Sequence, residues 1–220
     1  MAVSTRFRER VAVAVRPEPP RPSEDTRAVT VPWRRMGVSI LVLFAILMAW
    51  TVTTNTYAVV WQQHLAGRWD AAVAPGELPA APARGTAVAR ISIPSLGIER
   101  IVLEGVDRAT LRKAPGHQPG TALPGQSGNS VIRAHRLLWS APFRNLAEAS
   151  FGAPVHVQLA DGTVRTYLVA GIFRMDPGDP ELTADPSGLS SLTLVTSDPP
   201  FRADRLLVVK AVLPPGEPQP

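Results

Sequence analysis

From Met36 to Gly67 the chain carries no Lys, Arg, Asp or Glu. The segment opens MGVSILVLFAILMAW and continues TVTTNTYAVVW. Its most apolar part, residues 36–52, would make a helix of about 25 Å, the lower end of what crosses a bilayer. Extension to Val60 gives a comfortable span, so a transmembrane helix is predicted over 36–60. The threonines can return their hydroxyls to backbone carbonyls. Trp33, Trp50, Tyr57 and Trp61 are residues of the kind that collect at membrane interfaces. No small-x-small cleavage site precedes the polar region, which favours an uncleaved anchor over a signal peptide.

Residues 61–87 turn rich in Ala, Pro and Gly without helical periodicity, and predict a linker. From Val88 the pattern changes to period two: VARISI, IERIVL, then strands at 129–134, 155–159, 164–173, 191–196 and 206–212. Asp161-Gly162 marks a hairpin turn. Helical signal is short, at 107–113 behind a capping Asp and at 143–149 after a Pro. Seven or eight short strands with Gly/Pro turns predict an all-β domain over 88–213 that closes, or nearly closes, into a barrel. Residues 214–220, ending PPGEPQP, predict a frayed tail.

Charge alters this picture at one end only. Residues 1–35 hold eight Arg against four acidic residues, and the remainder holds fifteen basic against fourteen acidic side chains. The +5 net charge therefore resides in the tail, read as a disordered basic arm. Five Arg precede the apolar span closely and two follow it, which places residues 1–35 in the cytoplasm and the barrel outside. A nearly neutral barrel argues against nucleic acid as a partner. The absence of cysteine excludes disulfides, cysteine-ligated metals and thiol catalysis.

Candidate chemistry is sparse. His64 and His156 read as surface or satisfied residues. His117 lies in the loop GHQPG, and His135 follows an apolar strand in NSVIRAHR. Ser197 ends an apolar strand in SLTLVTSDPP, where a proline-stiffened loop could present a nucleophile; Arg205 opens the last strand, where it could support an oxyanion. No S-x-x-K occurs, and Gly125-Gln-Ser-Gly-Asn129 fails the G-x-S-x-G pattern. The acidic run Asp176, Asp179, Glu181, Asp185 matches no calcium-loop spacing, so no metal and no cofactor is predicted.

Together these pieces form a pattern. ISIPSLGIERIVLEGVD, KAPGHQPGTALPGQSGN, the strand ending in His135-Arg136, Phe143–Leu146, TLVTS and RLLVV resemble the sortase family over 88–213. The loop GHQPGTALPG is most similar to class E sortases. The resemblance implies an eight-stranded β-barrel on a type II membrane anchor. It implies a transpeptidase that cleaves a Thr–Gly bond in a C-terminal sorting signal of exported proteins. The acyl group then passes to an amine, such as that of a peptidoglycan precursor. It matches His135 to the family histidine, Ser197 to the position of the catalytic cysteine, and Arg205 to the family arginine. The loop 114–128 is expected to line the peptide groove, with His117, Pro119 and, on the Ser197 strand, Thr196 as substrate-binding positions. Departures are Ser197 itself, Ala134 where Gly usually precedes the histidine, Gln118 where class E has Tyr, and a bulky charge at Arg133.

A cysteine is partly thiolate at neutral pH, whereas a serine hydroxyl must lose its proton to a base during attack. His135 would have to lie within about 3 Å of the hydroxyl and be held by an orienting partner. Two readings follow: a serine-based sortase, or a sortase-fold pseudoenzyme that binds sorting signals or assists an active paralogue. The sequence supplies no obvious orienting acid, and alternation points Asp198 away from Ser197.

Overall fold

The computed structural model describes residues 33–73, 81–185, 189–200, 202 and 204–215. The expected basic arm lies outside them except for its last three residues, as does most of the C-terminal tail. The chain forms two units, 1–42 and 43–220, and the first is described only as the start of a helix.

That helix, α1 (Trp33–Ala72), runs for 40 residues. Thr51, Thr53 and Thr54 donate their hydroxyls to the carbonyls of Leu47, Ala49 and Trp50. Side chains before Thr54 are exposed and strongly apolar. The helix then continues to Ala72, through much of the segment read from sequence as linker. The reason is tertiary. Thr54, Ala58, Leu65 and Trp69 share one face and are buried. Leu65 and Trp69 pack on Ile101, Leu103 and Ala114 of the barrel. Gln62 hydrogen-bonds both backbone groups of Ile101, and Trp69 Nε1 donates to Gln158 Oε1 at 3.1 Å. Alanine carries no helix penalty of its own, and docking supplies what local propensity alone does not.

The barrel comprises β1 (Ala87–Ile93), β2 (Ile98–Glu104), β3 (Gly116–His117), β4 (Gly128–Arg133), β5 (Pro154–Gln158), β6 (Val164–Met175), β7 (Ser190–Asp198) and β8 (Arg205–Val212). It closes in the order β1-β2-β3-β4-β7-β8-β6-β5, with β5 returning to β1. Only β2–β3 and β4–β7 are parallel. A short α2 (Arg108–Leu111) starts on Asp107, whose carboxylate accepts from the Ala109 and Thr110 amides. The expected helix at 143–149 is reduced to one 3-10 turn, Leu146–Glu148. β3 was hidden in the sequence because two residues inside a Gly/Pro loop show no alternation. Gly116 is required there, since a side chain would run into the Gly105 carbonyl.

Alternation sorts the strands' side chains. Ile91, Ile93, Val102, Ile132, Val157, Tyr167, Leu192, Leu194, Leu207 and Val209 fill the interior with Phe143 and Leu146. Tyr167, wholly buried, accepts from the Gly125 amide and bonds Ser190 Oγ, so its hydroxyl is satisfied. Ile101 and Leu103 face outward beneath α1. On the far side, Val131, Val195, Leu206 and Val208 also face outward, under Leu182 and Met175. This explains why β4 and β7 are buried along nearly their whole length: they are covered on both faces.

Candidate active site

β4, β7 and β8 are neighbours, and the residues singled out from sequence fall at one end of them. β4 and β7 run parallel with Arg133 opposite Val195. The ladder continues one step, Ala134 N–H donating to the Val195 carbonyl at 3.1 Å. Continued further, that register sets His135 opposite Ser197. In the antiparallel β7–β8 pair, Ser197 faces Leu206 and Asp198 faces Arg205. Parity assigns faces: Asn129, Val131, Arg133 and His135 on β4 share the outer face with Thr193, Val195 and Ser197 on β7. The 3-10 turn Pro180–Leu182 covers the lower part of this face, with Asn129 donating to the Leu182 carbonyl at 3.2 Å. It stops short of Arg133, His135 and Ser197, all only half-buried. The uncovered end of that face is where the peptide groove is expected.

Within it, Ser197 Oγ donates to the Pro200 carbonyl at 3.3 Å. The His135 imidazole makes no hydrogen bond among the described residues. Burial, and secondarily the nearby positive charge of Arg112, hold its pKa below the usual histidine value, so the neutral ring is favoured. Arg205 is exposed and, among the described residues, unpaired. By alternation it has the parity of Asp198 rather than of Ser197. Only its length, at the open start of β8, can carry the guanidinium round to the hydroxyl.

Asp198 does not orient the histidine. Its carboxylate accepts from Arg174 Nε at 2.6 Å and Arg136 Nη1 at 2.7 Å, which together hold its pKa below the usual carboxylate value. Arg136 also donates to the Ser197 carbonyl at 3.2 Å, tying the residue after His135 to the end of β7.

The three positions expected to touch substrate differ in access. Pro119 is exposed at the loop tip. Thr196 is buried and its hydroxyl donates to the Ala134 carbonyl at 2.9 Å, clamping β7 to β4. His117 is 1 % exposed and does not reach the groove. Its Nδ1 lies 2.6 Å from Glu104 Oε2 and its Nε2 lies 2.8 Å from the Ala122 carbonyl. Both partners are acceptors, and Thr121 Oγ1, also near Nε2, already donates to the Gln118 carbonyl. The ring bridges Glu104 and the Ala122 carbonyl and braces the loop from below. The side chain visible to sequence as a possible contact is a structural pin, because Glu104, its partner, ends β2 on a neighbouring strand.

Two of the departures from the family pattern meet. Arg133 Nε donates to Gln118 Oε1 at 2.8 Å. A third feature was invisible in sequence. After His135 the chain passes through Trp139, Ser140 and Ala141 with φ of 56°, 62° and 44°. Three consecutive non-glycine residues in the left-handed region cost about 1–2 kcal/mol each. Such strain persists where surroundings impose it. Asn55 of α1 accepts from the Ser140 amide at 2.9 Å, and the Trp139 ring packs edge-on to Tyr57 with Arg112 5.3 Å from its centre. Asn55 gave no signal because it lies within the apolar run.

A closed eight-stranded barrel with a parallel β4–β7 pair, and with histidine, serine and arginine at the ends of β4, β7 and β8, has the architecture of a barrel transpeptidase. The model of the sortase domain matches residues 91–213, and the chain belongs to the sortase family. Among solved structures it is similar in fold to a sortase D5 transpeptidase from Clostridium perfringens, at 22 % identity, covering 74 % of this chain and 98 % of that one, with a TM-score of 0.55. It is similar to a lid mutant of sortase A from Corynebacterium diphtheriae, at 27 % identity, 73 % and 98 % coverage and a TM-score of 0.55. It is also similar to the SrtF sortase of Corynebacterium diphtheriae, at 26 % identity, 67 % and 96 % coverage and a TM-score of 0.58. No curated protein matches the chain.

Proposed function

We propose that this sortase binds C-terminal sorting signals of exported proteins in the groove over β4 and β7, and that Ser197 leaves it catalytically impaired. The observation that carries this reading is the hydrogen bonding of the groove. The Ser197 hydroxyl is directed to the Pro200 carbonyl, while the His135 ring has no partner among the described residues. An alcohol needs its base in contact and the base needs an orienting group. Here the carboxylate that follows Ser197 in the chain, Asp198, is committed to two arginines. Loss of a triad nucleophile costs roughly 10⁶ in turnover in a serine protease, and a hydroxyl without an engaged base belongs near that end of the scale.

A serine-based transpeptidase is the second reading, favoured by one observation: burial and Arg112 keep His135 neutral, the form a general base requires. In that reading His135 takes the Ser197 proton and returns it to the leaving amine, Arg205 supports the oxyanion, and the acyl group passes to an amine acceptor of a peptidoglycan precursor. No cofactor enters either reading. The apolar stretch of α1 before Thr54, with a mean hydropathy of 2.2 over its best window, is the proposed single-pass membrane anchor, with residues 1–35 cytoplasmic and the barrel outside. The class E likeness of the loop at 116–125 is the basis for the proposed subclass.

The test compares the full chain with Ser197→Cys on a peptide containing a Thr–Gly bond and a free amine. Peptide binding by both, with turnover confined to the cysteine variant, is expected. Turnover by the serine protein within about 10²-fold of the variant would establish the second reading instead.

A further inference from the structure

The groove contains a charge that neither catalysis nor the fold uses. Arg133 stands two residues before His135 on the same face of β4, half-buried, with only its Nε engaged, by Gln118. No carboxylate pairs with it among the described residues. The acids around it are already committed: Glu104 to His117, Asp198 to Arg136 and Arg174. A half-buried guanidinium without a counter-ion is unfavourable in the free protein, and burial indeed lowers its pKa. Gln118 holds the Nε edge, which fixes the plane of the fork and leaves the Nη groups unengaged. Arg112, Arg136 and Arg205 lie near the same strand ends, where Asp198 is held by Arg136 and Arg174 and Asp204 by Arg202, in a barrel domain that is otherwise close to neutral.

We infer that Arg133, aligned by Gln118, is a specificity-determining residue that binds an acidic side chain of the peptide two residues from the scissile bond. This rests on the peptide-binding reading above. The spacing follows from strand geometry. Arg133 and His135 are about 7 Å apart along β4, the rise of two residues in an extended peptide lying in the groove. The chemistry follows from the guanidinium, whose planar fork matches a carboxylate with two parallel hydrogen bonds. A neutral amide at the same peptide position offers one acceptor and no charge.

The experiment measures binding of labelled Thr–Gly peptides to the full chain in detergent micelles, with Glu placed in turn at each position flanking the bond and replaced by Gln or Lys. Binding is read with Ser197 in place, so no turnover is needed. Glu two residues from the bond should bind about tenfold tighter than Gln, and the preference should shrink in high salt. Arg133→Met should abolish that preference while leaving the Gln peptide's affinity within about twofold; Arg133→Lys should keep part of it. Equal affinity for Glu and Gln peptides at every position overturns the inference while leaving peptide binding intact. So does an Arg133→Met variant that weakens all peptides alike, which would assign Arg133 to the peptide backbone. Absence of binding by any peptide, with the thermal midpoint unchanged, overturns the peptide-binding reading and this inference together.

Discussion

Both covered sides of the barrel bury outward-facing apolar residues, but the covers differ. Over β1 and β2 lies α1, which contributes Leu65 and Trp69, a Gln62 side chain that donates to the Ile101 carbonyl and accepts from its amide, and the ion pair Asp70–Arg90 at 2.6 Å. Over β4, β7 and β8, among the described residues, lies the 3-10 turn carrying Leu182 with Met175 beside it, and the turn ends before the upper rungs. The first side is packed under Leu65 and Trp69, with clefts beside the helix lined by Gln62, Arg90 and Ser140 and by Arg68, Arg84 and Ala160. The second is packed under Leu182, has a cleft lined by Asn129, Asp185 and Thr193 at its lower end, and leaves Arg133, His135 and Ser197 half-buried above. The same double-sided strand pattern thus carries a docked helix on one side and, on the other, a partial cover that leaves the candidate site residues accessible.

The largest expected effect tests the helix-covered side. Trp69 is 4 % exposed and its indole N–H is satisfied by Gln158. Trp69→Ala should destabilise the barrel unit by about 3–5 kcal/mol, read as a lowered urea midpoint. Peptide binding below the transition should persist, since the groove is on other strands. A variant with wild-type stability would mean that α1 merely rests on the barrel.

Next comes the pin beneath the loop. His117→Ala strands Glu104, itself 7 % exposed, without its partner. Removing one member of a buried pair costs about 3–5 kcal/mol, toward the lower end here if water enters the space. Substitution of both residues, as Glu104→Gln with His117→Asn, should recover part of the loss. If the single variant matches the double, the pair is not coupled.

These two regions also differ in how far the sequence reveals them. Every strand but β3 was legible from period-two alternation, and the order of motifs brought His135, Ser197 and Arg205 to the ends of three strands. The docked half of α1 was not, because Ala-rich helix and Ala-rich linker look alike until the barrel offers Ile101 and Leu103 for Leu65 and Trp69 to cover. His117 was misplaced for a related reason. A histidine among glycines and prolines looks accessible, and its burial depends on Glu104, which arrives from another strand. Gln118 and Arg133 looked like separate irregularities because they are fifteen positions apart in the chain, and only the β3–β4 pairing brings their side chains within reach.

A smaller effect tests whether the helix-covered side reaches into the open one. Asn55 accepts from Ser140, in the strained stretch that follows His135. Asn55→Ala should cost about 1 kcal/mol and speed hydrogen exchange of the Ser140 amide, whereas Asn55→Asp, which keeps the acceptor, should preserve its protection. Gln62→Ala, on the same helix but against β2, should leave that amide protected. Equal exchange in the Asn55→Ala variant would show that the loop holds its left-handed conformation unaided.

The smallest effect is a pH dependence confined to the open side. His135 has a folded pKa held below its unfolded value, near 6.5. Above that pH both states carry a neutral ring and it contributes nothing to the slope. As pH falls below about 6.5 the unfolded chain takes up the proton first, so stability declines until pH passes the folded value. Asp198 has the same sign in a lower window: its contribution is present above the unfolded value of about 3.9 and is lost as pH falls through the folded one. The two windows separate the residues. His135→Gln should flatten the unfolding midpoint between neutral pH and about 5 and leave the acid limb alone, while Asp198→Asn should do the reverse. Arg112→Ala should raise the His135 titration toward its usual value only in part, because burial is the larger cause. Complete recovery in that variant would assign the shift to Arg112 and show the open end of the groove to be wetter than its half-buried residues indicate.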